Sequence, residues 1–205
     1  PVLDYAILVV SGADGVQSHT ETLFHLLSHY NVPVFLFLNK MDLGVNSRET
    51  LLQELHTRFG DGCLDFSALL GSASEEERAA FLEAAAMQGQ ELLEEYLAHG
   101  TIGEETIRRA IASREIFPCF FGSALKYRGV EEFLMMLERY TQSFAERDEK
   151  PFSARVFKIS EDEHGKRLTH LKILSGSLKV KEILQCGGGQ QKVNELRVYS
   201  GAKYK

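Results

Sequence analysis

The chain has 205 residues, of which 44% are hydrophobic, and a formal net charge of -6 at pH 7. This composition is that of a globular protein, which excludes the disordered and fibrous classes. The longest apolar run, residues 5–10, is far shorter than the roughly 20 residues that span a bilayer. No secretory signal precedes it, so we expect a cytoplasmic protein without membrane contact. The three cysteines are widely spaced, which predicts neither a disulfide framework nor a zinc site.

The first two thirds of the sequence alternate short apolar runs with amphipathic stretches, the pattern of βαβ units around a parallel sheet. Strands are predicted at residues 5–10, 34–38 and 117–121. Because each run is almost continuously apolar, helices are expected on both faces of the sheet. The helix after the first strand is predicted to begin at a capping box of Ser18 and Glu21. Its buried face is expected to consist of Leu23, Leu26, Leu27 and Tyr30.

Residues 61–116 do not alternate in this way. They indicate helix after helix with no strand between them, which predicts a helical insertion in the α/β domain. Capping boxes are predicted at the starts of two of these helices, from Ser74 with Glu77 and from Thr101 with Glu104. A closing helix is predicted after the third strand from apolar residues at helical spacing. These residues are Val130, Phe133, Leu134, Leu137, Tyr140 and Phe144.

The sequence changes character at Pro151. Lys and Arg number 12 against 24 Asp and Glu in residues 1–150, and 11 against 5 in residues 151–205. The apolar period becomes two, which predicts antiparallel strands that are too few to close a barrel. The charge difference favours two bodies, the second facing a polyanion. Lysines are expected to alternate with apolar residues on exposed faces of these strands, namely Lys172, Lys179 and Lys181 with Leu171, Ile173, Leu178 and Val180.

The tetrapeptide Asn39-Lys40-Met41-Asp42 follows the second predicted strand. Open α/β sheets bind ligands at the carboxyl ends of their strands. The Asp42 carboxylate offers two adjacent acceptors for the N1–H and N2–H₂ groups of guanine, whereas adenine has an acceptor at N1. Asn39 can reach the N7 edge of the base and tie neighbouring loops together, and the Lys40 stem can lie across the base plane. These residue types together predict guanine recognition.

A second segment, Gly122-Ser123-Ala124-Leu125, follows the third predicted strand. The backbone N–H of Ala124 can donate to guanine O6, where adenine carries an amino group instead. Taken alone, this segment is an ordinary strand-to-helix turn. One strand away from residues 39–42, it completes a candidate site for the base. The candidate guanine-binding residues are Asn39, Lys40, Asp42, Ser123, Ala124 and Leu125.

Residues 39–42 and 123–125 resemble the fourth and fifth signature motifs of GTPases. Residues 3–16 and the positions just after them resemble the segment that follows switch II in elongation factor G and its relatives. Further similarity to these relatives lies in residues 91–97, 116–137 and 156–184. Among them, the sequence is most similar to tetracycline-resistance ribosomal protection proteins, through residues 117–125, 174–176 and 197–201.

The resemblance implies an α/β fold with a P-loop GTPase-type parallel sheet. Residues 1–150 correspond to the C-terminal part of a GTP-binding domain with an insertion at about 61–116, and residues 151–205 to part of an antiparallel β-barrel. It also implies GTP or GDP as ligand, Mg²⁺ in the intact protein, and the ribosome, through its RNA, as partner. A monomer is expected, although the sequence itself does not specify the oligomeric state. Lys172, Lys179 and Lys181 are the candidates for ribosome contact.

The sequence also departs from the family. It contains no Gly-x-x-x-x-Gly-Lys-Ser/Thr and no Asp-x-x-Gly-His after a strand, so the motifs that bind phosphate and magnesium and carry the catalytic histidine are missing. We therefore interpret the chain as an internal part of a longer GTPase, with no catalytic or metal-binding residue and no GTPase activity of its own. The alternative is a non-catalytic module that binds guanine or ribosomal RNA.

Overall fold

The computed structural model describes residues 2–71, 73–142, 151–186, 189–200 and 203–204. The chain forms two compact units. The first comprises Leu3–Gln142, and the second contains the described residues from 151 onward. None of the helices in these described ranges is long and apolar enough to cross a bilayer.

A four-stranded parallel sheet in the order β1-β2-β4-β3 lies at the middle of the first unit. Its strands are β1 (Ala6–Ser11), β2 (Val34–Asn39), β3 (Cys63–Asp65) and β4 (Phe117–Phe121). The two central strands, β2 and β4, are buried along their whole length apart from the half-buried Asn39. This sheet confirms the α/β fold class and the three predicted strands.

Six helices cover the sheet in the described part of this unit. They are α1 (Ser18–His29), α2 (Arg48–Phe59), α3 (Glu75–Ala86), α4 (Gln90–His99), α5 (Glu104–Ala112) and α6 (Val130–Tyr140). One apolar core includes Phe24 of α1 and Leu55 of α2 with Leu36 of the sheet. A second core includes Phe35, whose side chain points to the other face of β2, with Phe133 of α6. Helices therefore pack on both faces, as the apolar strands predicted.

The strand β3 corrects the expectation that residues 61–116 contain no strand. Cys63 and Leu64 are buried, and β3 pairs with β4 in parallel through Cys63 opposite Phe117 and Asp65 opposite Cys119. A strand of three residues is too short to show a period, which is why the sequence pattern did not reveal it. The limits proposed for the helical insertion stay a prediction.

The edge strand β1 is covered less completely than expected. Leu8 and Val10 are buried, but Ile7 is 46% and Val9 57% exposed. These two side chains lie on the opposite face of β1 from Leu8 and Val10 because side chains alternate along a strand. The prediction that both faces of this strand are covered is wrong for the part of the chain that the structure describes.

The three predicted capping boxes have different outcomes. Ser74 and Glu77 form a complete capping box at α3. The box predicted at Ser18 is wrong, because α1 already includes Ser18 and its N-cap residue is Gln17, which makes no side-chain cap bond. The box predicted at Thr101 is also wrong, because the N-cap residue of α5 is Gly103, which makes no side-chain cap bond.

The buried face of α1 is also displaced from the predicted one. Leu26 and Tyr30 are exposed, and Phe24 is the buried residue. The Phe24 ring stacks on that of Phe59 at a centroid distance of 4.1 Å. Aromatic packing between α1 and α2 therefore decides which face of α1 is turned inward.

The closing helix α6 buries Phe133, Met136 and Tyr140. Leu134, which was predicted to be buried, is exposed. Phe144, the last residue of the predicted face, lies outside the described residues.

The second unit consists of antiparallel strand pairs. They are β5 (Ser153–Glu161) with β6 (Arg167–Ser175), β7 (Ile183–Cys186) with β8 (Gly189–Lys192), and β9 (Tyr199–Ser200) with β10 (Lys203–Tyr204). Antiparallel strands after a parallel sheet agree with the predicted fold class.

The three candidate lysines of this unit do not share a strand face. Lys172 lies in β6 and is half-buried, whereas residues 178–181 form a loop. Lys181 has a φ of 72°, and the Lys179 N–H donates to Glu182 Oε2 at 2.8 Å. This local turn replaces the predicted strand, so the alternation expected around Lys179 and Lys181 is wrong. Their role in ribosome contact stays a prediction.

Candidate functional site

The two segments predicted to bind guanine meet at the carboxyl edge of the sheet. Strands β2 and β4 are neighbours, and Leu38 lies opposite Phe121. Beyond this pair, the Gly122 N–H donates to Leu38 O at 2.9 Å, and the Met41 N–H donates to Gly122 O at 3.0 Å. The loops after β2 and β4 are therefore joined backbone to backbone.

The Asn39 side chain joins these loops a second time. Its Oδ1 accepts the Lys40 N–H at 2.8 Å and the Ala124 N–H at 2.9 Å. The N–H that was assigned to guanine O6 therefore already has an acceptor within the protein. Guanine O6 could share this donor with Asn39 in a three-centre hydrogen bond. The sequence predicted that Asn39 ties neighbouring loops together, but not that it accepts the Ala124 N–H, because that contact depends on how two distant loops pack.

Asp42 lies in a 3₁₀ turn, Met41–Leu43, and is exposed. A hydrogen bond with the Ser123 side chain holds the pKa of the Asp42 carboxyl below its usual range, and the positive charges of Lys126 and Arg128 lower it further. Ser123 itself is only 2% exposed. The carboxylate is therefore ionised at neutral pH, when it can only accept hydrogen bonds. That state matches the two donors on the Watson–Crick edge of guanine.

Two non-glycine residues in these loops have left-handed backbone conformations. They are Lys40, with a φ of 65°, and Tyr127, with a φ of 55°. Such conformations cost about 1 kcal/mol or more and often mark functional sites. The Lys40 side chain is exposed, and Leu125 on the other loop is 82% exposed. Both side chains are thus accessible to a ligand at this edge.

A third loop, which follows β1, lies against the same site. The Gly12 N–H donates to Asn39 O at 2.7 Å. A methyl group on Gly12 would lie 2.6 Å from Met41 Sδ and 3.0 Å from Asn39 O, so it would displace the Met41 side chain and press on the Asn39 carbonyl. The Asn39 peptide is therefore held by backbone on the side of β1 as well.

Residues 1–143 match the family model described as "Elongation factor Tu GTP binding domain". The chain belongs to this family. Tetracycline resistance protein TetW of Butyrivibrio fibrisolvens is 29% identical over 208 residues, which cover 97% of this chain and 33% of that protein. The chain thus spans about a third of the length of this curated relative. The matched residues, 1–143, belong to a GTP-binding domain of the elongation factor Tu type.

The fold of this family member is similar to that of a solved structure. The crystal structure of a protein from Thermus thermophilus superposes with a TM-score of 0.75 at 23% sequence identity. The similarity covers 99% of this chain and 36% of the other. The likeness therefore extends over both units and supports their folds.

The residues of this elongation factor Tu-type domain fit the base of a guanine nucleotide better than its phosphates or Mg²⁺. The base is matched by an ionised carboxylate and by backbone and side-chain amides at one sheet edge. In contrast, the sequence has no Gly-x-x-x-x-Gly-Lys-Ser/Thr. Among the described residues, no group of three or more His, Cys, Asp or Glu side chains could hold a metal. The described residues therefore supply candidate contacts for a guanine base and no such cluster of metal ligands.

The sequence reasoning missed two cations of this site. Lys126 and Arg128 act electrostatically on Asp42, and both follow the predicted Ser123 loop within five residues. Their nearness along the chain was a usable signal. Gly12 was also missed, and for this residue no signal existed, because its contact with the Asn39 loop is long-range.

Proposed function

We propose that this chain binds the guanine base of GTP or GDP through the six candidate residues at the carboxyl edge of the sheet. The observation that supports this most directly is the 2.9 Å bond between Asn39 Oδ1 and the Ala124 N–H. It brings together two segments that lie 85 residues apart in sequence. The six residues are Asn39, Lys40, Asp42, Ser123, Ala124 and Leu125.

The proposed chemistry is hydrogen-bond readout by an ionised acceptor. Asp42 accepts from N1–H and N2–H₂ of guanine, while Lys40 and Leu125 cover the base. Adenine would place its N1 lone pair against the carboxylate and leave that charge unpaired. Sites that require a specific hydrogen bond discriminate by about 10⁴–10⁵.

For the whole protein, we propose a ribosome-associated translational GTPase, either a tetracycline-resistance ribosomal protection protein or an elongation factor G-like translocase. The similarity to a protein named for tetracycline resistance supports the first of these. Hydrolysis of GTP requires positioned phosphates, magnesium and an attacking water. This chain contributes the guanine end of that site and no catalytic residue.

The guanine proposal is tested by equilibrium dialysis of the chain with guanosine, GDP and adenosine. Guanosine and GDP should bind with similar affinity, because the chain contacts only the base, and adenosine should not bind. Asp42→Ala should abolish guanosine binding. The matched control is Asp61→Ala. Asp61 is exposed and lies just before β3, at the amino end of that strand rather than at the carboxyl edge of the sheet. Equal guanosine affinity in the Asp42→Ala and Asp61→Ala chains would remove Asp42 from the site.

The ribosome proposal is tested with the intact protein. Replacing Lys172, Lys179 and Lys181 together by Glu should weaken co-sedimentation with ribosomes and flatten its salt dependence, because fewer counterions are released from RNA. GTP affinity should stay unchanged. Equal binding and an equal salt slope for both proteins would exclude these lysines from the interface.

A further inference from the structure

Two side chains outside the guanine motifs hold the loop after β1, residues 12–17, hereafter the β1 loop. Asn46 Nδ2 donates to Gly12 O at 2.9 Å and to Ala13 O at 3.2 Å. Glu54 Oε1 accepts the Val16 N–H at 3.1 Å. The β1 loop is therefore fixed near both its ends, by a residue just before α2 and by a residue within α2.

The hydrogen bonds of Asn46 lead back to the guanine site through Gly12. The Gly12 carbonyl accepts from Asn46, and the Gly12 N–H donates to Asn39 O at 2.7 Å. Asn39 and Asn46 are thus both hydrogen-bonded to Gly12. Residues 39–46 close into a ring through Gly12, and Asp42 lies inside this segment.

Helix capping does not account for Asn46. The N-cap residue of α2 is Ser47, whose side chain accepts the Thr50 N–H at 3.2 Å. The Asn46 amide instead reaches across to a loop more than 30 residues away. Of the side chains of this size and shape, only asparagine can donate to two carbonyl oxygens here, because aspartate offers acceptors alone.

We propose that Asn46 is a positioning residue for the guanine site. By closing residues 39–46 onto the β1 loop, it fixes the Asn39 peptide, and Asn39 in turn holds the Ala124 N–H. Glu54 is the second anchor, which prevents the β1 loop from swinging away from Asn39. The effect on ligand affinity rests on the guanine-binding function proposed above, whereas the effect on loop order does not.

The test compares Asn46→Ala and Asn46→Asp with wild type and with Asn194→Ala, an exposed asparagine of the second unit that serves as control. Amide hydrogen exchange is followed by NMR at Gly12, Ala124 and Thr50 without ligand. Both Asn46 variants should exchange faster at Gly12 and Ala124, while Thr50 stays protected because its cap is intact. Asn46→Asp keeps the side-chain shape, so it separates lost donation from lost packing.

Guanosine affinity is then measured by equilibrium dialysis well below the unfolding temperature. Both Asn46 variants should bind guanosine about three- to tenfold more weakly, the effect of losing one net hydrogen bond. Wild-type exchange at Gly12 and Ala124 in the Asp variant would overturn the proposal. Faster exchange with unchanged guanosine affinity would also overturn it, because Asn46 would then support the fold alone.

The two proposals fail in different ways. If the variants exchange faster but wild type binds no guanosine, the base assignment fails, and the positioning of the loops by Asn46 stands. If wild type binds guanosine but exchange is the same in all four chains, the base assignment stands and the positioning of the loops by Asn46 fails.

Discussion

Gly122 is the position where one methyl group is expected to damage both the fold and the guanine site. A Cβ atom there would lie 2.3 Å from Arg128 O and 2.9 Å from Phe37 Cζ. Arg128 O cannot withdraw freely, because it accepts the Ser123 N–H at 2.9 Å. Phe37 is buried and contacts Phe133 at a ring-centroid distance of 5.2 Å. The methyl group therefore displaces either backbone or core.

The expected loss of stability for Gly122→Ala follows from these two contacts. Overpacking costs about 1–3 kcal/mol, and loss of the bond between Ser123 and Arg128 adds about 1 kcal/mol. The sum is about 2–4 kcal/mol. For a chain of this size, it lowers the unfolding midpoint by about 4–16 °C.

The assay is thermal unfolding followed by circular dichroism, with guanosine affinity measured in parallel at low temperature. Gly71→Ala is the matched control, because a methyl group there meets no atom within 4 Å, and it should change stability by about 0.5 kcal/mol at most. Guanosine binding should weaken in the Gly122 variant, since Gly122 O holds the Met41 N–H. A Gly122→Ala midpoint within about 1 °C of the control would refute the packing argument, because the expected shift is several degrees.

Three further outcomes are expected. Asp42→Asn in the intact protein should shift nucleotide preference from GTP toward XTP, because the new amide donates to the C2 carbonyl of xanthine; unchanged preference in competition binding would contradict this. Ser123→Ala should raise the pKa of Asp42, because it removes the hydrogen bond that lowers this pKa most. When the solution is acidified, the Asp42 carboxylate of this variant should therefore become protonated at a higher pH than in wild type, and guanosine binding should be lost at that higher pH. A ¹³C NMR titration of the carboxyl checks this, and an unmoved midpoint would contradict it. Arg114→Ala should destabilise the first unit by about 1–3 kcal/mol. The reason is that the guanidinium lies 5.3 Å from the centre of the Phe24 ring and 5.0 Å from that of the Phe117 ring. A thermal unfolding midpoint equal to that of wild type would exclude this contribution.

The central strands and the loops after them were predictable from sequence for a physical reason. A strand buried on both faces must be apolar throughout, as β4 is and as β2 is up to Leu38. A polar motif directly after such a strand must lie at the carboxyl edge of the sheet. The positions of Asn39 and Ser123 follow from these two constraints.

Features that depend on long-range packing were not predictable in this way. The three residues of β3 carry no period, and the face of α1 is set by the stacking of Phe24 on Phe59. The strand predicted around Lys179 is replaced by a turn that a single side chain, Glu182, stabilises. Within the site, the use of the Ala124 N–H by Asn39 depends on the distance between two loops, which the order of residues does not specify.

The bond between Asn39 Oδ1 and the Ala124 N–H is made entirely within the protein. The two sides of the base site therefore hold each other in place, and little loop ordering is left to oppose association. A preorganised site loses less conformational entropy on binding. Its association rate is then limited by diffusion and orientation rather than by rearrangement of the loops. We therefore expect different bases to associate with this edge at similar rates, and guanine to be selected by how slowly it leaves.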